Sequence, residues 1–133
     1  MSSEASPDPL RELLVDARDI DRRAIASTLR NRIAVDSMSG RLHLGDEFTS
    51  LKSKEKLLLL LLGQKVARLL EVSERETLSF GEIVEISGLP RGTAAPTLKD
   101  LKARRLVDQA VGKAYFVPDA QVTRAIRVLE RQD

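Results

Sequence analysis

The chain has 133 residues, enough to bury a core of its own, and its 42% apolar content with one Tyr, three Phe and no Trp means that Leu, Ile and Val must build that core. The lack of Cys excludes disulfides and thiolate metal sites, one His argues against zinc, and the longest apolar run, Leu57 to Leu62, is far short of the roughly 20 residues that span a bilayer. A net charge of +2 selects no partner, but residues 1–89 carry 13 basic and 15 acidic side chains and residues 90–133 carry 9 and 5, so the C-terminal third is the basic part, as attraction to phosphates requires.

Residues 1–8 are small and polar and are expected to be disordered; with no apolar leader among them, a cytoplasmic protein is expected. Asp8-Pro9 is a helix start signal, and Leu10, Leu13, Leu14, Ala17 and Ile20 follow at helical spacing, which predicts a helix from Pro9 to about Asp19. Asp19 or Asp21 can cap a second segment carrying Ala24, Ile25, Leu29 and Ile33, and whether 9–31 is one helix or two stays open. Arg11, Arg18, Arg22, Arg23, Arg30 and Arg32 are largely offset by Glu12, Asp16, Asp19 and Asp21, which favours packing on a second subunit over a basic arm on DNA.

Ile33-Ala34-Val35-Asp36 and Arg41-Leu42-His43-Leu44 alternate around the turn-forming 36–40, which predicts a small hairpin. His43 has no catalytic constellation around it and reads as an exposed or hydrogen-bonded strand residue. Phe48 and Leu51 lead to Ser53, the expected cap of the strongest helix, Lys54 to about Leu70. Its Leu57 to Leu62 are apolar on every side, so this helix is the predicted spine, covered in part by the N-terminal helix or a second subunit. Val66, Ala67, Leu69 and Leu70 extend the inward stripe, and Lys65 and Arg68 are expected to point elsewhere.

After a polar connection at 71–77, Ser79 is a good N-cap for a short helix with Ile83, Val84 and Ile86 on one face. Gly88 can adopt the left-handed conformation that stops it, Pro90 keeps Leu89 out of the helical region, and Leu89 plugs the turn. A second helix then places Ala94, Leu98 and Leu101 inward and Arg91, Thr93, Ala95, Lys99 and Lys102 outward. The run Gly88-Leu89-Pro90-Arg91-Gly92-Thr93, followed by Pro96-Thr97-Leu98-Lys99 and Leu101, resembles the turn and recognition helix of winged helix-turn-helix regulators of the PadR and MarR type, over about residues 78–118.

The resemblance implies a mainly α fold with a small β wing. Leu78 would be the first short strand, 106–110 and 114–117 the wing strands, and Val111-Gly112-Lys113 the turn. Arg91 to about Arg104 would enter the major groove of double-stranded DNA. Arg91, Lys99 and Lys102 would neutralise phosphates, Thr93 would bond a backbone oxygen or base edge, Ala95 would meet a thymine methyl, and Lys113 would add an interaction from the wing tip. Two departures stand out. Arg105 occupies a place where such domains usually have Gly, so that helix end should carry strain if Arg105 sits at positive φ, and Ala95-Pro96 offers little for bonding to bases.

Tyr115 and Phe116 alternate, so one should pack inward. Pro118 closes the strand and Asp119 is the expected cap of a last helix with Val122, Ala125, Ile126 and Leu129 on one face. The predicted organisation is thus a disordered 1–8, a helical and hairpin segment 9–50 suited to dimerisation, a winged helix-turn-helix 51–118 and a C-terminal helix 119–133.

No nucleophile elbow, phosphate loop or metal-binding helix occurs, and the acidic pairs Asp46-Glu47 and Glu82/Glu85 have no nucleophile or base beside them, so no enzyme, metal or cofactor is expected. The expected function is DNA-binding transcriptional regulation as a homodimer without membrane association. The competing expectation is a winged-helix module that docks on proteins and binds no DNA.

Overall fold

A computed structural model describes residues 8–13 and 21–130. Among them are five helices, α1 (Arg22–Leu29), α2 (Ser53–Leu69), α3 (Phe80–Ser87), α4 (Arg91–Ala103) and α5 (Val122–Glu130). Two small antiparallel sheets join them: β1 (Ile33–Val35) with β2 (Leu42–Leu44), and β3 (Asp108–Gln109) with β4 (Tyr115–Phe116). The fold is therefore mainly α with small β hairpins.

The predicted N-terminal helix is represented only by a 3-10 turn at Pro9–Leu13; the remainder of that expectation, 14–20, lies outside the described residues. The inward stripe expected there is not inward at its start, since Leu10 and Leu13 are 68% and 76% exposed. Asp21 has extended backbone and accepts a hydrogen bond from the Ala24 N–H, so α1 begins at its own cap.

All six side chains from Leu57 to Leu62 are fully buried, as a helix apolar on every side requires. Their cover comes from the same chain: α1, the first hairpin, α3, α4, α5 and β4 all pack on α2. No second subunit is needed to hide them. Burying each Leu contributes about 1.5–3 kcal/mol, so this one helix anchors the domain.

At Gly63 the helix has no side chain, and a Cβ there would sit 3.0 Å from Ile33 Cδ1 and 3.3 Å from Leu42 Cδ2, so β1 and β2 lie directly against its backbone. The cap of α2 is Lys52 rather than Ser53; Glu55 selects it, because its carboxylate accepts the Lys52 N–H at 3.0 Å.

Lys65 also departs from expectation. It is buried, and its ammonium bridges Glu76 at 2.7 Å and Asp119, tying α2 to the connection before α3 and to the lead into α5. Two carboxylates supply the reason, since an ammonium can leave water when it is paired on two sides. Asp119 is consequently no helix cap; it lies in a 3-10 turn, Asp119–Gln121, that precedes α5.

The predicted break between the two helices is present. Ser79 Oγ accepts from the Glu82 N–H and Glu82 returns the bond to the Ser79 N–H, closing a capping box at the start of α3. Gly88 ends the helix at φ 75°, and Leu89 packs into the core as α4 begins. At the far end of α4, Arg105 stands at φ 64°. The Arg105 N–H donates to the Lys102 carbonyl and the Leu106 N–H to the Leu101 carbonyl, a Schellman stop with Leu106 and Leu101 both buried.

Leu106 and Val107 belong to that stop, so β3 is only Asp108–Gln109, shorter than the expected strand. Leu78 is a single bridge, exchanging both backbone hydrogen bonds with Tyr115. Tyr115 and Phe116 are both half-buried instead of dividing into an inner and an outer residue. Finally, α5 buries Val122, Ala125, Ile126 and Leu129 against α1 and α2, which occupies its apolar face within the chain.

Candidate nucleic-acid interface

Helix α4 presents its surface in three stripes. Ala94, Leu98 and Leu101 are buried under α2 and α3. By helical geometry Arg91, Ala95 and Lys102 form one flank and Lys99 stands beside them near the crest, all exposed. Thr93, Thr97, Asp100 and Arg104 recur at i, i+4, i+7 and i+11 and make the other flank. Four of the six predicted DNA-binding residues, Arg91, Ala95, Lys99 and Lys102, therefore belong to one side of α4 and Thr93 to the other, while Lys113 is exposed on the hairpin.

The two flanks differ electrically. Asp100 pairs with Arg104 at 3.0 Å, and Thr97 Oγ1 donates to the Thr93 carbonyl at 2.7 Å, so the Thr93 flank is self-satisfied and neutral. Among the described residues, no carboxylate lies within ion-pair distance of Arg91, Lys99, Lys102 or Lys113. Arg91 instead lies over the Phe80 ring, 5.2 Å from its centroid, which restrains the guanidinium without neutralising it. The nearest acids in sequence are Glu85 to Arg91, Asp100 to Lys99 and Lys102, and Asp108 to Lys113, and of these Asp100 is paired with Arg104.

A side-chain hydrogen bond joins the hairpin to α4. Lys102 Nζ donates to Gln109 Oε1 at 2.7 Å, and Gln109 Nε2 donates to the Lys113 carbonyl at 3.1 Å. Lys113 ends a tight turn in which Gly112 and Lys113 have φ of 89° and 67°, with the Lys113 N–H donating to the Ala110 carbonyl. Val111 at the tip is fully exposed. Sequence reasoning missed both Phe80 and Gln109. An aromatic at the first position of a helix and a polar strand residue carry no pattern, and their partners are 11 and 7 positions away.

The base of α3 is held by a bidentate pair, Arg75 to Glu82 at 3.1 and 2.8 Å. The Arg75 hydrogen bond, with help from the Ser79 N–H, brings the Glu82 carboxyl down to about 2 in spite of partial burial. Glu82, read in the sequence only as one of an acidic pair with Glu85, is a structural acceptor. His43 is exposed in β2, its Nε2 3.7 Å from Asp36. Backbone hydrogen bonds from the turn, first that of Met38, hold the Asp36 carboxyl below its usual range.

An apolar groove of about 390 Å³ runs between α1, β1 and the end of α2, lined by Ile25, Leu29, Ile33, Val66, Leu69 and Leu70. Among the described residues no three His, Asp or Glu side chains converge as metal ligands would, and no helix is long and apolar enough to cross a membrane. The chain matches no family model, no curated protein and no solved structure.

Proposed function

We propose that the chain is a DNA-binding transcriptional regulator whose α3, α4 and β3–β4 hairpin act as a winged helix-turn-helix. The observation that carries this reading is the set of four exposed cations, Arg91, Lys99, Lys102 and Lys113, that α4 and the hairpin tip hold without a carboxylate partner. In the proposed complex α4 lies in the major groove. Arg91, Lys99 and Lys102 take phosphates, Ala95 meets a thymine methyl, Thr93 bonds the opposite backbone or a base edge, and Lys113 reaches a flanking phosphate. With most interactions made to the backbone, affinity is high relative to sequence discrimination.

About four cations give a monomer weak, salt-sensitive binding, so the working form is a homodimer on two half-sites. The apolar face of α5 is occupied inside the chain, whereas Leu10 and Leu13 are exposed, and this supports the N-terminal segment as the dimer contact. The test is titration of a duplex at two salt concentrations with wild type, Arg91→Ala and Lys99→Ala. Weaker binding and a shallower salt dependence in both variants uphold the proposal; three indistinguishable curves end it.

A second reading has its own support. The groove between α1, β1 and α2 is apolar and open, as a protein-docking surface would be, and a winged helix can serve assembly instead of DNA. Under that reading charge reversal at Lys99 is silent and Leu70→Asp abolishes partner binding.

A further inference from the structure

Gln109 makes side-chain hydrogen bonds to both parts of the proposed DNA surface, Lys102 on α4 and the Lys113 carbonyl at the hairpin tip. Its orientation is unambiguous: an ammonium can only donate and a carbonyl can only accept, so Oε1 must face Lys102 and Nε2 must face the Lys113 carbonyl. The backbone of the same residue is paired with Tyr115 across the hairpin, and Tyr115 is bridged to Leu78 just ahead of α3. One amide therefore fixes three things together: the direction of the Lys102 side chain, the position of the hairpin tip, and the distance from either to the start of α3.

The chemistry of the group matters as much as its place. A carboxylate at 109 would hold Lys102 at least as firmly, because an ionic hydrogen bond is the stronger kind, but it would cancel the charge. An amide restrains the ammonium and leaves its charge whole. Nor could a carboxylate donate to the Lys113 carbonyl, so Glu would release the hairpin as well as neutralise the helix cation; only the amide holds both and leaves the charge whole.

Resting on the DNA-binding reading above, we propose that Gln109 is a positioning residue that sets the spacing of two phosphate-binding groups, Lys102 from the helix and Lys113 from the hairpin, so that α4 and the hairpin meet the duplex backbone as one rigid unit. Restraint before binding lowers the entropic cost of immobilising a long, rotamer-rich side chain. The gain appears as affinity, with no added interaction with the DNA.

The test uses the full chain, a short fluorescein-labelled duplex of mixed sequence, and thermal melts of each variant. Gln109→Glu trades the hydrogen bond to the Lys113 carbonyl for an ionic one to Lys102, so it should move the melting temperature little while weakening DNA binding roughly tenfold near 100 mM salt and lowering the slope of log K against log salt by about one, as expected when one phosphate is no longer neutralised. A lower salt slope without a matching loss of stability is a result that a purely structural brace would not produce. Gln109→Ala leaves Lys102 charged but loose, so affinity should fall about threefold with the slope unchanged, and in a Lys102→Ala background the same change should cost less than about half of that effect on a logarithmic scale.

Gln109→Glu binding with wild-type affinity and slope, or the two Ala substitutions adding independently, would overturn the proposal while leaving the DNA reading intact. Wild-type protein that fails to bind the duplex at low salt would remove the DNA reading and this proposal with it.

Discussion

Helices α2 and α4 pack against one another, and the buried cation of the first is handled in the opposite way to the exposed cations along one side of the second. In α2 every apolar side chain from Leu57 to Leu62 is out of water, and the one deeply buried cation, Lys65, is matched by Glu76 and Asp119. In α4 only Ala94, Leu98 and Leu101 are buried, and Arg91, Lys99 and Lys102 stand in solvent without an acid. Charge that is neutralised inside the chain serves the fold; charge that is restrained but left whole, by the Phe80 ring or the Gln109 amide, is available to something outside it.

That contrast breaks most readily in α2. Leu60→Ala should cost about 3–5 kcal/mol, as a core leucine with neighbours on all sides leaves a cavity, and urea unfolding measures it. Lys65→Met should cost about 3 kcal/mol, at the low end for a broken buried pair, because Glu76 and Asp119 keep 37% and 39% side-chain exposure and can rehydrate. If Lys65→Met melts like wild type, the bridge is not part of what holds α2 to the segments before α3 and α5.

At the end of α4 the sign reverses. Arg105 stands at φ 64°, where a side chain is strained, so Arg105→Gly should stabilise by about 0.5–1 kcal/mol, read as a higher melting temperature. Glu82 gives a smaller effect with a defined pH window. Its folded pKa, about 2, lies below the ordinary value of 4.5, so its contribution is present above pH 4.5 and is lost as pH falls toward 2. Glu82→Gln should flatten that part of the acid unfolding profile, by at most about 1 kcal/mol for a pair this exposed. Smallest of all, Lys99→Ala should change stability by less than about 0.5 kcal/mol while lowering the salt slope of DNA binding by about one. A larger drop in stability would mean Lys99 has a partner inside the protein.

Much of this was legible in the chain because the signals were local. Ser79 as a cap, Gly88 before Pro90, and the spacing of Ala94, Leu98 and Leu101 each lie within one or two helical turns, and the break and the two helices followed from them, whereas attention to Arg105 came from the resemblance. What escaped depends on residues distant in sequence. Lys65 reads as an outward charge because its partners are 11 and 54 positions away, and Asp119 reads as a cap because that pairing is invisible in the sequence. The cover over the leucine row misleads for the same reason: an apolar stripe shows that something must lie on it, and whether that is α5 or another subunit is a matter of tertiary packing. Among the candidate DNA-binding residues, periodicity placed Arg91, Ala95, Lys99 and Lys102 on an exposed side, but it did not separate Thr93 onto the neutral flank, where the Asp100–Arg104 pair decides the character of the surface.

Where the row of leucines stops, at Gly63, the central rod carries a notch one methyl group deep, and the first hairpin is seated in it through Ile33 and Leu42. A notch dictates position along the rod as well as adhesion to it. Strands of three residues have little power to choose their own alignment, so β1 and β2 inherit theirs from the helix beneath, and a single methyl added at 63 would press on the ends of Ile33 and Leu42 from outside the sheet.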